Sequence, residues 1–93
     1  LGEIDIIAAI NKDIYFIEVK TRTRNDYGLP QEAVNQAKQR KIIKTAVVYL
    51  KSEGYSDHNC RFDIVSILMD KDNNFQTIDY LENAFSPPDY YTF

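Results

Sequence analysis

One cysteine, one histidine, three scattered glycines and no apolar run near the length of a membrane span bound what this 93-residue chain can be. The lone Cys60 excludes an intramolecular disulfide, so stability cannot rest on one, and a reducing cytoplasm suits the chain. A membrane helix needs ~20 consecutive apolar residues; no stretch approaches that, and no signal peptide is visible. The glycines form no phosphate-cradling loop. His58 lies in the turn-rich stretch 54–59 without Cys, His or acid at zinc-site spacing, and reads as a surface residue. There is no internal repeat and no low-complexity segment. What remains is one small globular domain with 44% apolar residues and seven tyrosines, near the size at which a single core is only adequate.

The chain is organised around a hairpin. Residues 2–10 and 14–21 are rich in Ile, Val, Phe and Tyr, and Asn11, Lys12 and Asp13 separate them, which is the pattern of two paired strands. Apolar residues fall at odd and even positions alike, so both arms are expected to be buried on both faces. Yet Glu3, Asp5, Glu18 and Lys20 sit inside them. Side chains alternate along a strand, so Glu3 and Asp5 share one face of the first arm, and Glu18 and Lys20 one face of the second. A two-residue turn at Asn11-Lys12 sets residue 5 opposite 18 and residue 3 opposite 20. A four-residue turn keeps that parity and a three-residue turn breaks it. Either even-length turn brings three carboxylates and one ammonium onto a face that also carries Ile7, Ile14 and Phe16. Facing carboxylates repel, and a hard divalent ion, Mg²⁺ or Mn²⁺, would supply the missing positive charge through oxygen ligands. A solvated face carrying charge pairs is the other reading of the same spacing.

Gly2-Glu3-Ile4-Asp5 followed by Phe16-Ile17-Glu18-Val19-Lys20-Thr21-Arg22 resembles the catalytic signature of the PD-(D/E)xK nuclease superfamily. More closely it resembles the YraN family of predicted endonucleases, relatives of archaeal Holliday-junction resolvases. The resemblance continues through Gly28-Leu29-Pro30-Gln31-Glu32-Ala33-Val34, Lys38-Gln39-Arg40-Lys41-Ile42, Ala46, Tyr49-Leu50 and Arg61-Phe62-Asp63-Ile64-Val65, and so covers roughly residues 2–67. It implies an α/β fold: a restriction-endonuclease-like three-layer core, with a mixed sheet holding a central hairpin and a βαβ crossover, in a single domain over 1–93. It implies metal-dependent hydrolysis of DNA phosphodiester bonds, with branched or structured DNA as the substrate. Asp5, Glu18 and the backbone carbonyl of Val19 would hold Mg²⁺ or Mn²⁺. Lys20 would orient or deprotonate the attacking water, or neutralise charge on the phosphate, and Glu3 would be an added ligand or a base.

Net charge is −3, which taken alone argues against a nucleic-acid partner, but its distribution does not. From Lys20 to Lys44 seven basic residues face two acids, a stretch of +5 against −8 for the rest. Arg22, Arg24, Lys38 and Lys41 are the candidates for phosphate contact, positioning DNA rather than reading its bases.

A helix is expected from about Gln31 to Glu53, with Pro30 in its first turn and Gly54 as a left-handed cap. Its apolar stripe reads Val34, Ala37, Ile42, Ala46, Tyr49 and Leu50, and Lys38 interrupts the i+4 ladder. That lysine either snorkels to solvent or reaches back towards the carboxylates. A third strand, 61–69, should run parallel to the Glu18 strand, because the helix lies between them. A turn at 70–74, a short last strand at 75–80 and an aromatic tail (Phe85, Tyr90, Tyr91, Phe93) follow. The resemblance also implies an upstream helix and first strand that this sequence does not contain. The strand from Gly2 would then present an open apolar edge, covered either by the aromatic tail folding over it or, since Pro87 and Pro88 make that tail a poor strand, better by two copies associating with two-fold symmetry. The rival to the enzyme reading is a non-catalytic nucleic-acid- or protein-binding module that keeps the fold, favoured by the acidic overall charge. The intact Asp5, Glu18, Lys20 set favours the enzyme, since such charges are costly to bury.

Overall fold

The computed structural model describes residues 4–23 and 34–87. It contains β1 (Ile6–Ile10), β2 (Asp13–Thr23), α1 (Gln36–Ser52), β3 (Asn59–Met69) and β4 (Phe75–Phe85). The fold is α/β: a four-stranded mixed sheet in the order β1-β2-β3-β4, with α1 packed on one face. This is compatible with a three-layer nuclease-like core, of which the described residues supply the sheet and one helical layer.

The hairpin has the two-residue turn. Ile10 pairs with Asp13, Ala8 with Tyr15 and Ile6 with Ile17. Asn11 takes a positive φ of 54°, a conformation that Asn tolerates better than most side chains. β2 and β3 are parallel with Ile17 beside Asp63 and Glu18 beside Ile64, as a crossover through a helix requires. β3 and β4 form a hairpin whose turn is closed by Asp70, its Oδ1 accepting from the N–H groups of Asp72 and Asn74 at 2.8 Å each.

Alternation along the strands decides the core. Ile14 and Phe16 of β2, Phe62 and Ile64 of β3 and Phe85 of β4 face α1, which answers with Ile42, Ile43, Ala46 and Leu50. Phe16, Phe62 and Phe85 form a stacked row across three strands, with centroids 5.4 and 5.2 Å apart, and Tyr49 meets Phe16 edge-on at 5.9 Å.

Several expectations change. β1 is not buried on both faces: Ile6 and Ile10 are exposed, because β1 is an edge strand here and α1 covers only one face. Ile78 and Tyr80 of β4 are exposed on that same open side, among the described residues. The helix starts at Gln36 with Asn35 as N-cap, its Oδ1 accepting from Lys38 N–H at 2.9 Å; Pro30, Gln31 and the rest of 24–33 lie outside the described residues. Ala37 is exposed, and Ile43 and Val47 complete the buried stripe instead. Gly54 does cap the helix end, at φ 72°. The last strand runs to Phe85 rather than Tyr80, and Phe85 is a core ring rather than part of a tail. Residues 88–93, with Tyr90, Tyr91 and Phe93, lie outside the described residues. His58 is half-buried against Tyr55, centroids 4.6 Å apart, with Nδ1 2.8 Å from Asp57 Oδ1. No helix among the described residues is long and apolar enough to cross a membrane.

Candidate functional site

The last ladder pair of the hairpin is Ile6 with Ile17, and one step further Asp5 faces Glu18. At that step β1 gives way to a bend, and the Asp5 side chain replaces the missing backbone partner: Val19 N–H donates to Asp5 Oδ2 at 2.8 Å. The two carboxyl groups share a hydrogen bond. A strand residue's N–H and C=O point to the same side, so the Val19 carbonyl faces the side of β2 on which Asp5 lies.

Burial divides the pair. Asp5 is exposed, whereas Glu18 is only 4% exposed beneath the first turn of α1. The hydrogen bond from Glu18, aided by Val19 N–H, Lys38 and Lys20, holds the Asp5 carboxyl below its usual range. Burial, then the hydrogen bond to Asp5 and the Asp5 charge, push Glu18 up to about 7, against the pull of Lys38 and Lys20. Near neutrality the pair therefore tends to hold one proton, on Glu18. Glu18 Oε2 is buried and has no hydrogen-bond partner among the described residues; Lys38 Nζ lies 3.5 Å from it, close enough for an ion pair.

Lys38 thus reaches back over the sheet rather than out to solvent. Lys20, two residues beyond Glu18 on the same face of β2, is half-buried and within electrostatic reach of both carboxylates. Arg22 continues that face, half-buried. Lys41 is exposed one turn along α1 from Lys38. Glu3 and Arg24 lie outside the described residues. The structure therefore gathers Asp5, Glu18, Val19, Lys20 and Lys38, with Arg22 and Lys41 at the margin, around the carboxyl end of β2 and the start of α1. Open α/β sheets commonly bind ligands at the carboxyl ends of their strands. The two cavities beside Tyr15 and Arg61, of about 370 and 320 Å³, are lined by other residues, from Asp13 and Asn59 in one to Ile10 and Tyr80 in the other.

No cluster of three or more His, Cys, Asp or Glu suited to a metal occurs among the described residues. Mg²⁺ does not require one: it is commonly held by one or two carboxylates together with waters and substrate phosphates. Two carboxylates and a carbonyl, all hard oxygen donors, fit such an ion, and Glu18 Oε2 is a buried acceptor that no hydrogen bond fills.

Sequence reasoning missed Ser66. It stands beside Lys20 in the β2–β3 register and beside Asp79 in the β3–β4 register, so all three share the face of Glu18. Ser66 is buried, and its Oγ has no hydrogen-bond partner among the described residues. The signal was a lone hydroxyl among Phe62, Ile64 and Leu68 on one strand face. The missing knowledge was the register across a crossover, which no local pattern carries.

A buried glutamate paired with an exposed aspartate, flanked by ammonium groups from a strand and a helix, is thus set on the helix-covered face of an α/β fold. The chain belongs to Uncharacterised protein family UPF0102, the YraN-like family, whose sequence profile it matches over residues 1–67, a span that includes each of these groups except Asp79. It is 46% identical over 86 residues to a UPF0102 protein of Clostridium acetobutylicum, covering 91% of this chain and 70% of that protein. It is 40% identical over 85 residues to one of Moorella thermoacetica (91% and 71%) and 47% identical over 88 residues to one of Alkaliphilus oremlandii (91% and 73%).

Proposed function

We propose that this chain is a Mg²⁺- or Mn²⁺-dependent endonuclease that hydrolyses DNA phosphodiester bonds, recognising DNA by backbone and shape rather than by base sequence. The observation that supports it most is the Asp5–Glu18 pair: a glutamate buried with one oxygen that accepts no hydrogen bond, beside a second carboxylate and two ammonium groups. A structural acid would have its acceptors filled.

Asp5, Glu18 and the Val19 carbonyl are the groups that would hold the ion, which when bound supplies Lewis-acid stabilisation of charge developing on the phosphate. Lys20 stands on the same face and orients the attacking water, takes its proton when in the neutral amine form, or as an ammonium neutralises the phosphate. Water oxygen bonds to phosphorus as the ester P–O bond breaks, the water's proton passes to that amine or to solvent, and the departing oxygen takes a proton from solvent. Arg22 and Lys41 position the phosphates on either side, with Arg24 as a further phosphate contact and Glu3 as an added metal ligand or base. Branched or forked DNA is the substrate class carried by the resemblance to the YraN family.

The net charge of −3 favours a second reading, a binding module that has kept the fold without the chemistry. Cleavage of linear, forked and four-way DNA with Mg²⁺ or Mn²⁺, by wild type and by Asp5→Asn, separates the two. The enzyme reading expects metal-dependent cutting that Asp5→Asn abolishes. Binding without cutting by the wild type supports the module.

A further inference from the structure

Resting on that reading, we propose that Lys38 is the site's internal cation: its ammonium stands in for the divalent ion in the ion-free protein, and is released towards a phosphate of the nucleic acid when the ion binds.

The placement carries the argument. Lys38 Nζ lies 3.5 Å from Glu18 Oε2, the buried oxygen that no hydrogen bond satisfies. At that distance the contact is an ion pair rather than a well-formed hydrogen bond, the kind of contact a substitute cation makes. The backbone of Lys38 is held: its N–H is capped by Asn35 at 2.9 Å, and Gln39 Nε2 donates to the Val34 carbonyl at 2.9 Å. Above that fixed point runs a flexible four-carbon stem, and the side chain is already 35% exposed. It can turn outward, towards the side where Lys41 is exposed, without disturbing the helix. Lys20 has less freedom, because it projects from the interior of a strand paired with β3.

Charge balance points the same way. With Glu18 ionised, the carboxylates of Asp5 and Glu18 are balanced by the ammonium groups of Lys20 and Lys38. A divalent ion held by the same carboxylates adds two positive charges next to Lys38, and like charges at such separations repel. Release of Lys38 relieves that repulsion. A phosphodiester brought in by the ion then meets an ammonium released at that moment, so cation binding and substrate grip become one event.

The test is lysine labelling with an amine-reactive ester, read by mass spectrometry, in EDTA and in saturating Mn²⁺ at pH 8.5. It is run on wild type and Asp5→Asn, with Mn²⁺ binding followed by calorimetry. Labelling of Lys38 should rise on the order of two- to fivefold in Mn²⁺, the scale expected when a partly exposed ion pair opens. Lys41 and Lys44 should not change, and Asp5→Asn should show no rise. Lys38→Met should bind Mn²⁺ at least as tightly as wild type. Mn²⁺ binding with unchanged Lys38 labelling, or weaker binding by Lys38→Met, overturns this inference and leaves the metal site standing. A wild type that binds no Mn²⁺ overturns both.

Discussion

Glu18 and Asp63 are two buried carboxylates one register step apart in neighbouring strands, and they point to opposite faces of the sheet. Asp63 is 1% exposed and fully answered. Its Oδ1 accepts from Arg61 Nε and Asn83 N–H at 2.8 Å, and its Oδ2 from the second Arg61 nitrogen at 2.8 Å and from the Tyr80 hydroxyl at 2.7 Å. Burial pushes its pKa up, but these donors outweigh burial and hold it below the usual carboxylate range. Arg61 in turn lies over the Tyr15 ring at 4.6 Å. Glu18, as deeply placed, has an oxygen without a donor and a pKa pushed up to about 7. The first carboxylate is built to be ionised in place. The second is costly when ionised, with the 3.5 Å contact of Lys38 and the charge of Lys20 only partly offsetting its burial, the condition under which a bound cation contributes most.

The largest expected effect comes from breaking the satisfied one. Asp63→Ala leaves Arg61, Tyr80 and the Asn83 N–H without their acceptor and should cost about 3 kcal/mol in a urea melt. Glu18→Gln removes a strained charge instead, so above pH 7 it should melt no lower than wild type while losing Mn²⁺ binding. Equal losses from both substitutions would erase the distinction.

The two acids should also bend the pH–stability curve in opposite directions. The folded pKa of Glu18 lies above its unfolded value of 4.5. Its contribution is therefore fully present below about 4.5 and is lost as pH rises through about 7, on the order of 3 kcal/mol in all. The folded pKa of Asp63 lies below 3.8, so its contribution is present above that value and is lost as pH falls further. Wild type should be most stable in weak acid. Thermal melts from pH 3 to 9 check this: Glu18→Gln should lose the decline between about pH 4.5 and 7, and Mn²⁺ should reduce that decline in wild type. A Glu18→Gln protein that keeps the decline assigns it to another group.

How much of this the sequence shows depends on distance along the chain. The Asp5–Glu18 pairing was legible because Asn11-Lys12 makes a two-residue turn, and parity does the rest. Lys38 was legible as a charge interrupting an i+4 ladder, although whether it snorkels or reaches back was settled only by the packing of α1. Asp63 was not legible. Only Arg61 lies near it in sequence; its other donors, Tyr80 and Asn83, arrive from β4, where a bulge places two extra residues opposite it and Asn83 takes a φ of 52°. Nothing in Leu81-Glu82-Asn83-Ala84 announces a bulge rather than a loop, which is why the last strand is longer than expected. The exposure of β1 was missed because an apolar run shows what a strand can bury, not which faces its neighbours cover.

A smaller effect concerns Lys20. Lys20→Met should abolish cleavage while leaving Mn²⁺ affinity unchanged or improved, since it removes a competing positive charge. Single-turnover cleavage set beside calorimetry decides this, and loss of Mn²⁺ binding would make Lys20 a structural partner of the acids.

The smallest effect lies at the margin of the site. Lys38→Glu or Lys41→Glu should weaken DNA binding more than Arg40→Glu or Lys44→Glu, and should flatten the log–log salt dependence by about one unit for each phosphate no longer neutralised. Equal effects at all four positions would mean that only the general charge of the helix matters.

The central claim is that the unsatisfied carboxylate pair holds a divalent cation, and calorimetric titration of Mn²⁺ at pH 8.5 tests it most directly. Wild type should bind one ion, and Asp5→Asn and Glu18→Gln should each abolish that binding while remaining folded. A wild type that gives no binding, or a Glu18→Gln protein that binds as wild type does, would contradict the account.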